Sequence, residues 1–294
     1  MVKNIFKELC SIIRARKYGG SAGIRFSPPG HYYSPIPSSC DFPEVNADKV
    51  ENQELLGIDL RESRQIELWI QISETVERNS KILLGGSNCR YQKDNDFFKR
   101  GDADVSAALF EFWKPNKIIE VGSGFSSALM LDVRDRCNLS TDITFIEPDP
   151  VRLDRLIRQA DRDSVRIIKK MVQDVPVPEF QRLQAGDWLF IDSSHVLKRR
   201  SDLHHLCFNV LPLLSEGVIV HFHDIFWPFD YPRFWYEEGR AWNEVFFLRA
   251  LLMFQNRFQI EFWNSWFSGK HAQKYFKSIP NIETGSSSIW LKCT

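Results

Sequence analysis

The sequence predicts a doubly wound α/β domain, a mostly parallel seven-stranded sheet closed by a terminal antiparallel strand pair. Three observations carry this expectation. Short apolar, β-branched runs alternate with stretches of helical periodicity through the middle of the chain, the pattern of right-handed crossovers onto a parallel sheet. The first of those runs ends in a glycine-rich turn that opens a helix, as such crossovers require at a ligand-facing edge. Two closing runs are joined by a polar stretch too irregular for a crossover, so they pair antiparallel.

Taken in order, Lys117-Ile-Ile-Glu-Val121 is the first strand, followed by a helix over Ser126 to Asp135. Ile143-Thr-Phe-Ile146 is the second strand, with a helix from about Val151 to Ala160. Val165-Arg-Ile-Ile168 is the third and Trp188-Leu-Phe-Ile191 the fourth. Gly217-Val-Ile-Val-His221 is the fifth, after a helix ending near Leu214. A helix from Gly239 to Asn256 then leads to Phe258-Gln-Ile-Glu-Phe262 and Ser288-Ile-Trp-Leu-Lys292, the antiparallel pair. This last zone is aromatic-dense: 17 of the chain's 39 Phe, Trp and Tyr residues lie between Phe222 and Phe267, enough to wall a crevice as well as to fill a core.

Ahead of the sheet, residues 1–100 read as a helical and proline-rich arm or lid, and residues 101–294 as the main domain. Ile5, Phe6, Leu9, Ile12 and Ile13 fall at helical spacing among lysines and arginines. Such a helix packs on its own core or on a second subunit, with peripheral contact to an anionic membrane surface as the alternative. Pro28-Pro-Gly-His-Tyr-Tyr-Ser-Pro-Ile-Pro37 is rigid, extended chain carrying two aromatic rings, suited equally to covering a pocket and to wrapping the domain. Glu62 to Thr75 reads as a helix.

Composition excludes several classes. Lys and Arg balance Asp and Glu at 38 each, which argues against a general nucleic-acid binder. No apolar run of about 18 residues is available to span a bilayer, and Met1 to Lys17 does not read as a signal peptide. Six cysteines lie far apart without a C-x-x-C pair, the usage of reduced thiols in a cytoplasmic protein.

The first strand's turn reads Glu120-Val-Gly122-Ser123-Gly124-Phe-Ser126-Ser127. Its glycines allow a sharp turn and close approach of a ligand to the helix start. Glu147, some 20 residues on at the end of the second strand, is placed to accept both hydroxyls of a ribose. Glu120 before the glycines suits an ammonium-bearing ligand better than a pyrophosphate. Ser127 stands where a nicotinamide site wants glycine. Together these favour S-adenosylmethionine (SAM).

On these residues the chain resembles the class I SAM-dependent methyltransferases, with their Rossmann-like sheet. More narrowly it is similar to a bacterial small-molecule subfamily, through Pro29-Gly-His-Tyr-Tyr-Ser-Pro-Ile-Pro37, Ile119-Glu-Val-Gly-Ser-Gly-Phe-Ser-Ser127, Phe190-Ile-Asp-Ser-Ser-His195 and Val220-His-Phe-His-Asp-Ile-Phe-Trp-Pro228. The resemblance implies Gly122 and Gly124, with Ser123, under the methionine portion, Glu147 on the ribose, and Val172 to Asp174 near the adenine.

A second constellation lies at the ends of strands four and five: Asp192-Ser-Ser-His195 and His221-Phe-His223-Asp224. Carboxyl ends of parallel strands face the ligand crevice, so these groups point toward the cofactor's methyl. They could hold a divalent ion through Asp192, His223 and Asp224, or move a proton without one. The arrangement resembles metal-dependent sugar and antibiotic O-methyltransferases, in which Asp192 and Asp224 would bind Mg²⁺ and His195 would act as base. His223 departs from that pattern, which has a carboxylate there. A neutral nitrogen is a poor Mg²⁺ ligand, so a softer ion binds or none does.

Tyr231, Trp227 and His221 are the candidates for an acceptor wall, against simple core packing. Asn243 and Glu244 open a helix near the same crevice as supporting groups. His204 and His205 point about 100° apart on a helix and cannot both grip one ion. The expected activity is therefore methyl transfer from SAM to a small-molecule hydroxyl, with Asp192, His195 and Asp224 catalytic. Asp174 and Asp192 are expected to join Glu120, Gly122, Ser123, Gly124 and Glu147 at the cofactor. The rival readings are a non-catalytic SAM-binding subunit and a nicotinamide-dependent oxidoreductase. A homo-oligomer is compatible with the sequence.

Overall fold

The computed structural model describes residues 27–42, 54–85, 89–275 and 286–294. The amphipathic stripe Ile5–Ile13 lies outside the described residues. The chain divides into two compact units, residues 1–45 with 232–241, and residues 46–231 with 242–294. The boundary expected near residue 100 therefore moves back to 45/46. The physical reason lies in α1 (Glu62–Gly85), whose Leu68, Trp69, Ile72 and Val76 recur at helical spacing and are fully buried. That stripe packs α1 on α2 (Arg100–Trp113) and on the sheet, making it part of the main core.

Within the first unit, residues 28–36 close a tight turn through Gly30 N–H to the Ile36 carbonyl (2.9 Å). The His31 and Tyr32 rings stack at 4.3 Å, and Tyr32 and Tyr33 stay exposed.

In the second unit the strands follow the predicted order. They are β1 (Lys117–Val121), β2 (Asp142–Ile146), β3 (Arg166–Ile168), β4 (Trp188–Ile191), β5 (Ile219–Phe222), β6 (Phe258–Trp263) and β7 (Ile289–Cys293). They form one sheet in the order β3-β2-β1-β4-β5-β7-β6. The first five pair in parallel, and β7 runs antiparallel to both β5 and β6. Helix α3 (Phe125–Arg136) follows the glycine turn. The helix expected over 151–160 breaks in two, α4 (Val151–Leu156) and α5 (Gln159–Ser164). Between them Arg158 is extended, and its N–H is held by Asp161 at 2.6 Å. The helix expected over 239–256 is confined to Glu244–Leu252, and the polar stretch after β6 carries a helix, Asn264–Tyr275.

Strands β1 and β4 lie side by side while their crossovers lead in opposite directions, so a crevice opens at their carboxyl ends. Val121 pairs with Ile191, and Ile191 with Phe222. The residues just past each strand, Gly122, Asp192 and His223, are thereby set next to one another. Beneath them Trp188, Phe190, Phe110 and Trp290 fill the sheet face, with Trp188 and Trp290 edge-on at 4.8 Å.

Candidate active site

Gly122 sits at φ +82, and a Cβ there would lie 1.8 Å from the Asp192 carbonyl oxygen. Asp192 N–H in turn donates to the Val121 carbonyl at 2.9 Å, so the two strand ends are stitched together with no room for a side chain. Glu147 takes the N–H of Ser123 at 3.0 Å and that of Asp149 at 2.9 Å. That fixes its carboxylate over the glycine turn. Two N–H bonds leave lone pairs free for a ribose diol, so this cradle fits SAM. Asp174 ends a short 3₁₀ turn after β3 and is exposed.

Glu120 does something else. It is fully buried, and the Ser126 hydroxyl donates to it at 2.6 Å while Ser127 donates to its other oxygen. Ser127 also accepts the Gly124 N–H at 2.9 Å. The expectation that Glu120 meets a ligand's ammonium is corrected: its oxygens bind the start of α3 from beneath and shape the turn. Burial, against the serine hydrogen bonds, pushes its pKa up to about 8. The stability tied to its neutral form is full below the usual 4.5 and is lost as pH rises through 8. Glu120→Gln should therefore flatten the decline of melting temperature over that range. Parallel melting-temperature curves for the two proteins would sink this reading.

The second cluster lies just past the ends of β4 and β5. His195, at φ +58, turns back toward the crevice. Its Nδ1 lies 2.7 Å from a Glu244 oxygen, and its Nε2 lies 3.6 Å from both Asp192 and Asp224. Asn243 fixes the loop, accepting the Leu197 N–H at 2.6 Å and donating to the Leu197 carbonyl at 3.2 Å. The N–H groups of Asn243 and Glu244 donate to the His195 carbonyl. Asp224, at φ +59, accepts from the Ser287 hydroxyl at 3.0 Å. Burial opposes charge on His195, yet Glu244 above all, then Asp224 and Asp192, raise its pKa to about 9. Burial would raise Asp192, but His223, His195 and Arg152 hold it below the ordinary carboxylate value.

His223 lies between the two carboxylates, with Nδ1 3.5 Å from Asp192 and 3.6 Å from Asp224. Its Nε2 is 3.6 Å from Asp102. Although Asp192, His223 and Asp224 meet, among the described residues no group of three His, Cys, Asp or Glu side chains is arranged to hold a metal ion. The buried Nδ1 has no hydrogen-bond partner at these distances, and Asp102 stands behind the ring.

Two of the three acceptor-wall candidates are also corrected. His221 is fully buried, stacked on Phe190 at 3.6 Å and bonded to Ser288 at 2.9 Å; as a strand residue it points into the sheet's packed face. Burial, and then His223, push its pKa well below normal. Tyr231 is 2% exposed, packed edge-on against Trp242. Trp227 is half-buried but lines a separate recess of about 560 Å³ with Asp59, Arg61, Glu62, Trp266 and Lys270.

Two residues went unread in the sequence. Arg152 lies over the Phe97 ring at 3.6 Å, against Gly124, and its charge faces Asp192. Asp102 is fully buried, accepting from Asn264, Ser287 and Ser288. Its signal was an acid on the apolar stripe it shares with Val105 and Leu109.

A glycine turn after β1, an acid after β2 and an acid–imidazole cluster after β4 and β5 define the site of a class I SAM-dependent methyltransferase. Residues 119–225 match the model of a methyltransferase domain, and the chain belongs to that family. It is 34% identical over 175 residues to an uncharacterized protein of Archaeoglobus fulgidus, covering 53% of this chain and 73% of that one. Among solved structures it is similar to the SAH-bound Podospora anserina methyltransferase PaMTH1 (14% identity, 82% and 99% covered, TM-score 0.44). It is similar too to the O-methyltransferase TomG of Streptomyces achromogenes in complex with SAM (12%, 79% and 96%, TM-score 0.42). A Mg-SAM form of CmcI matches at 15% identity, with 67% and 72% covered and a TM-score of 0.40. No helix among the described residues is long and apolar enough to cross a membrane.

Proposed function

We propose that the protein methylates a hydroxyl group of a small molecule in the cytoplasm, with His195 as general base. The observation that carries this reading is the His195–Glu244 contact of 2.7 Å, which leaves Nε2 facing Asp192 and Asp224 at the crevice. The bound cofactor supplies an activated methyl group, and the residues of the chain do the rest. Glu147 holds the ribose. Asp192 and Asp224 flank Nε2 of His195 and stabilise its protonated form, and neutral His195 takes the hydroxyl's single proton as the oxygen attacks the methyl carbon and the cofactor leaves as its demethylated thioether. Glu244 receives the Nδ1 N–H and steadies the imidazolium that forms.

The test is methyl transfer from labelled SAM to a panel of sugar, phenol and polyketide alcohols, read by mass. Methylated oxygen with SAM demethylated in equal amount is expected. Transfer only to nitrogen or carbon acceptors would overturn the hydroxyl assignment. Cofactor binding is checked separately by calorimetry. Glu147→Ala should weaken SAM binding by roughly 1.5–3 kcal/mol, the worth of hydrogen bonds to a charged group. NAD binding with SAM silent would refute the cofactor assignment.

A further inference from the structure

We propose that Arg152, braced on Phe97 beside the glycine turn, holds the α-carboxylate of SAM and selects the cofactor by that charge. The inference rests on the cofactor placement proposed above, with the ribose at Glu147 and the methionine portion along Gly122 to Gly124. That portion is a zwitterion, an ammonium and a carboxylate on one carbon, and it needs a partner of each sign when water is displaced. Glu120 does not serve, because it is fully buried beneath the turn and bonded to Ser126 and Ser127. Two other charged side chains flank the turn. A Cβ on Gly122 would lie 3.7 Å from the Asp192 Cβ, and one on Gly124 would lie 2.9 Å from Cδ and 3.8 Å from Nη1 of Arg152. An acid and a base thus stand two residues apart along the edge that the methionine portion follows.

Arg152 has the setting of a cation prepared for an anion. Its guanidinium carbon lies 3.6 Å from the centre of the Phe97 ring. That ring in turn stacks on Phe125, the first residue of α3, at 5.9 Å and 11°. Asn95 fixes the segment, its side-chain oxygen accepting the N–H of Phe97 at 3.0 Å and that of Phe98 at 2.7 Å. The ring face engages the plane of the guanidinium and leaves its N–H edge open. Among the described residues no carboxylate pairs with Arg152. Asp154, two residues on, is taken by Arg162 at 2.7 Å, and Glu147 is held by the N–H groups of Ser123 and Asp149. A long, exposed side chain fixed in place without an anion has already lost much of the freedom that binding one would cost. Its planar fork matches a carboxylate through two parallel N–H···O bonds.

The test is binding calorimetry on the full chain with three ligands, and it needs no acceptor. The wild type should bind SAM roughly 10- to 100-fold more tightly than decarboxylated SAM, the worth of hydrogen bonds between charged groups. Arg152→Gln should lose that preference. SAM weakens by the same factor, while decarboxylated SAM, which keeps its ammonium and sulfonium, binds no more weakly than before. Methylthioadenosine, which carries the adenine and ribose without the amino acid, should bind both proteins alike. A wild type that binds SAM and decarboxylated SAM equally would overturn the proposal with no variant needed. So would an Arg152→Gln protein that keeps the wild-type preference, or one that loses affinity for all three ligands in parallel. A wild type that binds none of the three overturns the cofactor placement as well, which separates the two failures.

Discussion

His195→Ala is expected to lower kcat by roughly 10²- to 10⁴-fold, the usual contribution of a positioned general base, with SAM affinity nearly unchanged. The pH dependence makes the role specific. His195 titrates at about 9 under the influence of Glu244, Asp224 and Asp192. Only the neutral ring can accept a proton, so wild-type kcat/KM should climb with pH and level off near 9, not near the 6.5 of a free imidazole. Stability moves the opposite way. A histidine whose folded pKa is raised stabilises fully below 6.5, and that contribution is lost as pH rises through 9. Removing the charge behind the ring, with Glu244→Gln, should move the activity limb to lower pH, because the 2.7 Å contact is the largest cause raising the value. An Ala variant that keeps the wild-type limb would show that another group carries the proton.

Gly122→Ala is expected to be the most damaging single methyl in the protein. The added Cβ would meet the Asp192 carbonyl oxygen at 1.8 Å, and the backbone already stands at φ +82. The left-handed conformation costs a residue with Cβ about 1–2 kcal/mol, and overpacking adds roughly 1–3 kcal/mol. A loss of about 3 kcal/mol lowers the melting temperature of a chain this size by roughly 6–12 °C. Because the clash is with main chain on the neighbouring strand, relief must pry β1 from β4, which opens the SAM cradle. SAM binding should therefore fall below detection in calorimetry. A variant with wild-type melting temperature and affinity would show that the two strand ends are not stitched as described.

The strand order and the cofactor turn were legible because they are local or periodic. Each of β1 to β5 is a run of β-branched and aromatic residues bounded by polar turns, and Gly122 marks a conformation only glycine adopts without strain. Glu147 was legible for the same reason, its place set by the length of one crossover. Helix ends were less so. The break at Ile157–Arg158 depends on Asp161 reaching back to a backbone N–H, and the helix start at Glu244 is set where the Asn243 and Glu244 N–H groups bond the His195 carbonyl. These are contacts made by particular residues, not by pattern.

By itself, then, the sequence determined the doubly wound sheet, its antiparallel closing pair, the SAM turn and the residue types at the ends of β4 and β5. Only the tertiary structure decided what those residues do. Spacing in the chain cannot say that Asp102, on a helix before the sheet, reaches His223 after β5. Nor can it say that Glu244 lies behind His195. Both facts come from packing across about 50 to 120 residues of chain, and both set protonation through charge and burial. The same physics turned Glu120 from a ligand contact into a brace beneath the turn, and His221 from an acceptor wall into core. Side chains at the edge of a parallel sheet alternate between crevice and interior. Which of them faces water is settled only when the neighbouring strands and helices have covered the rest.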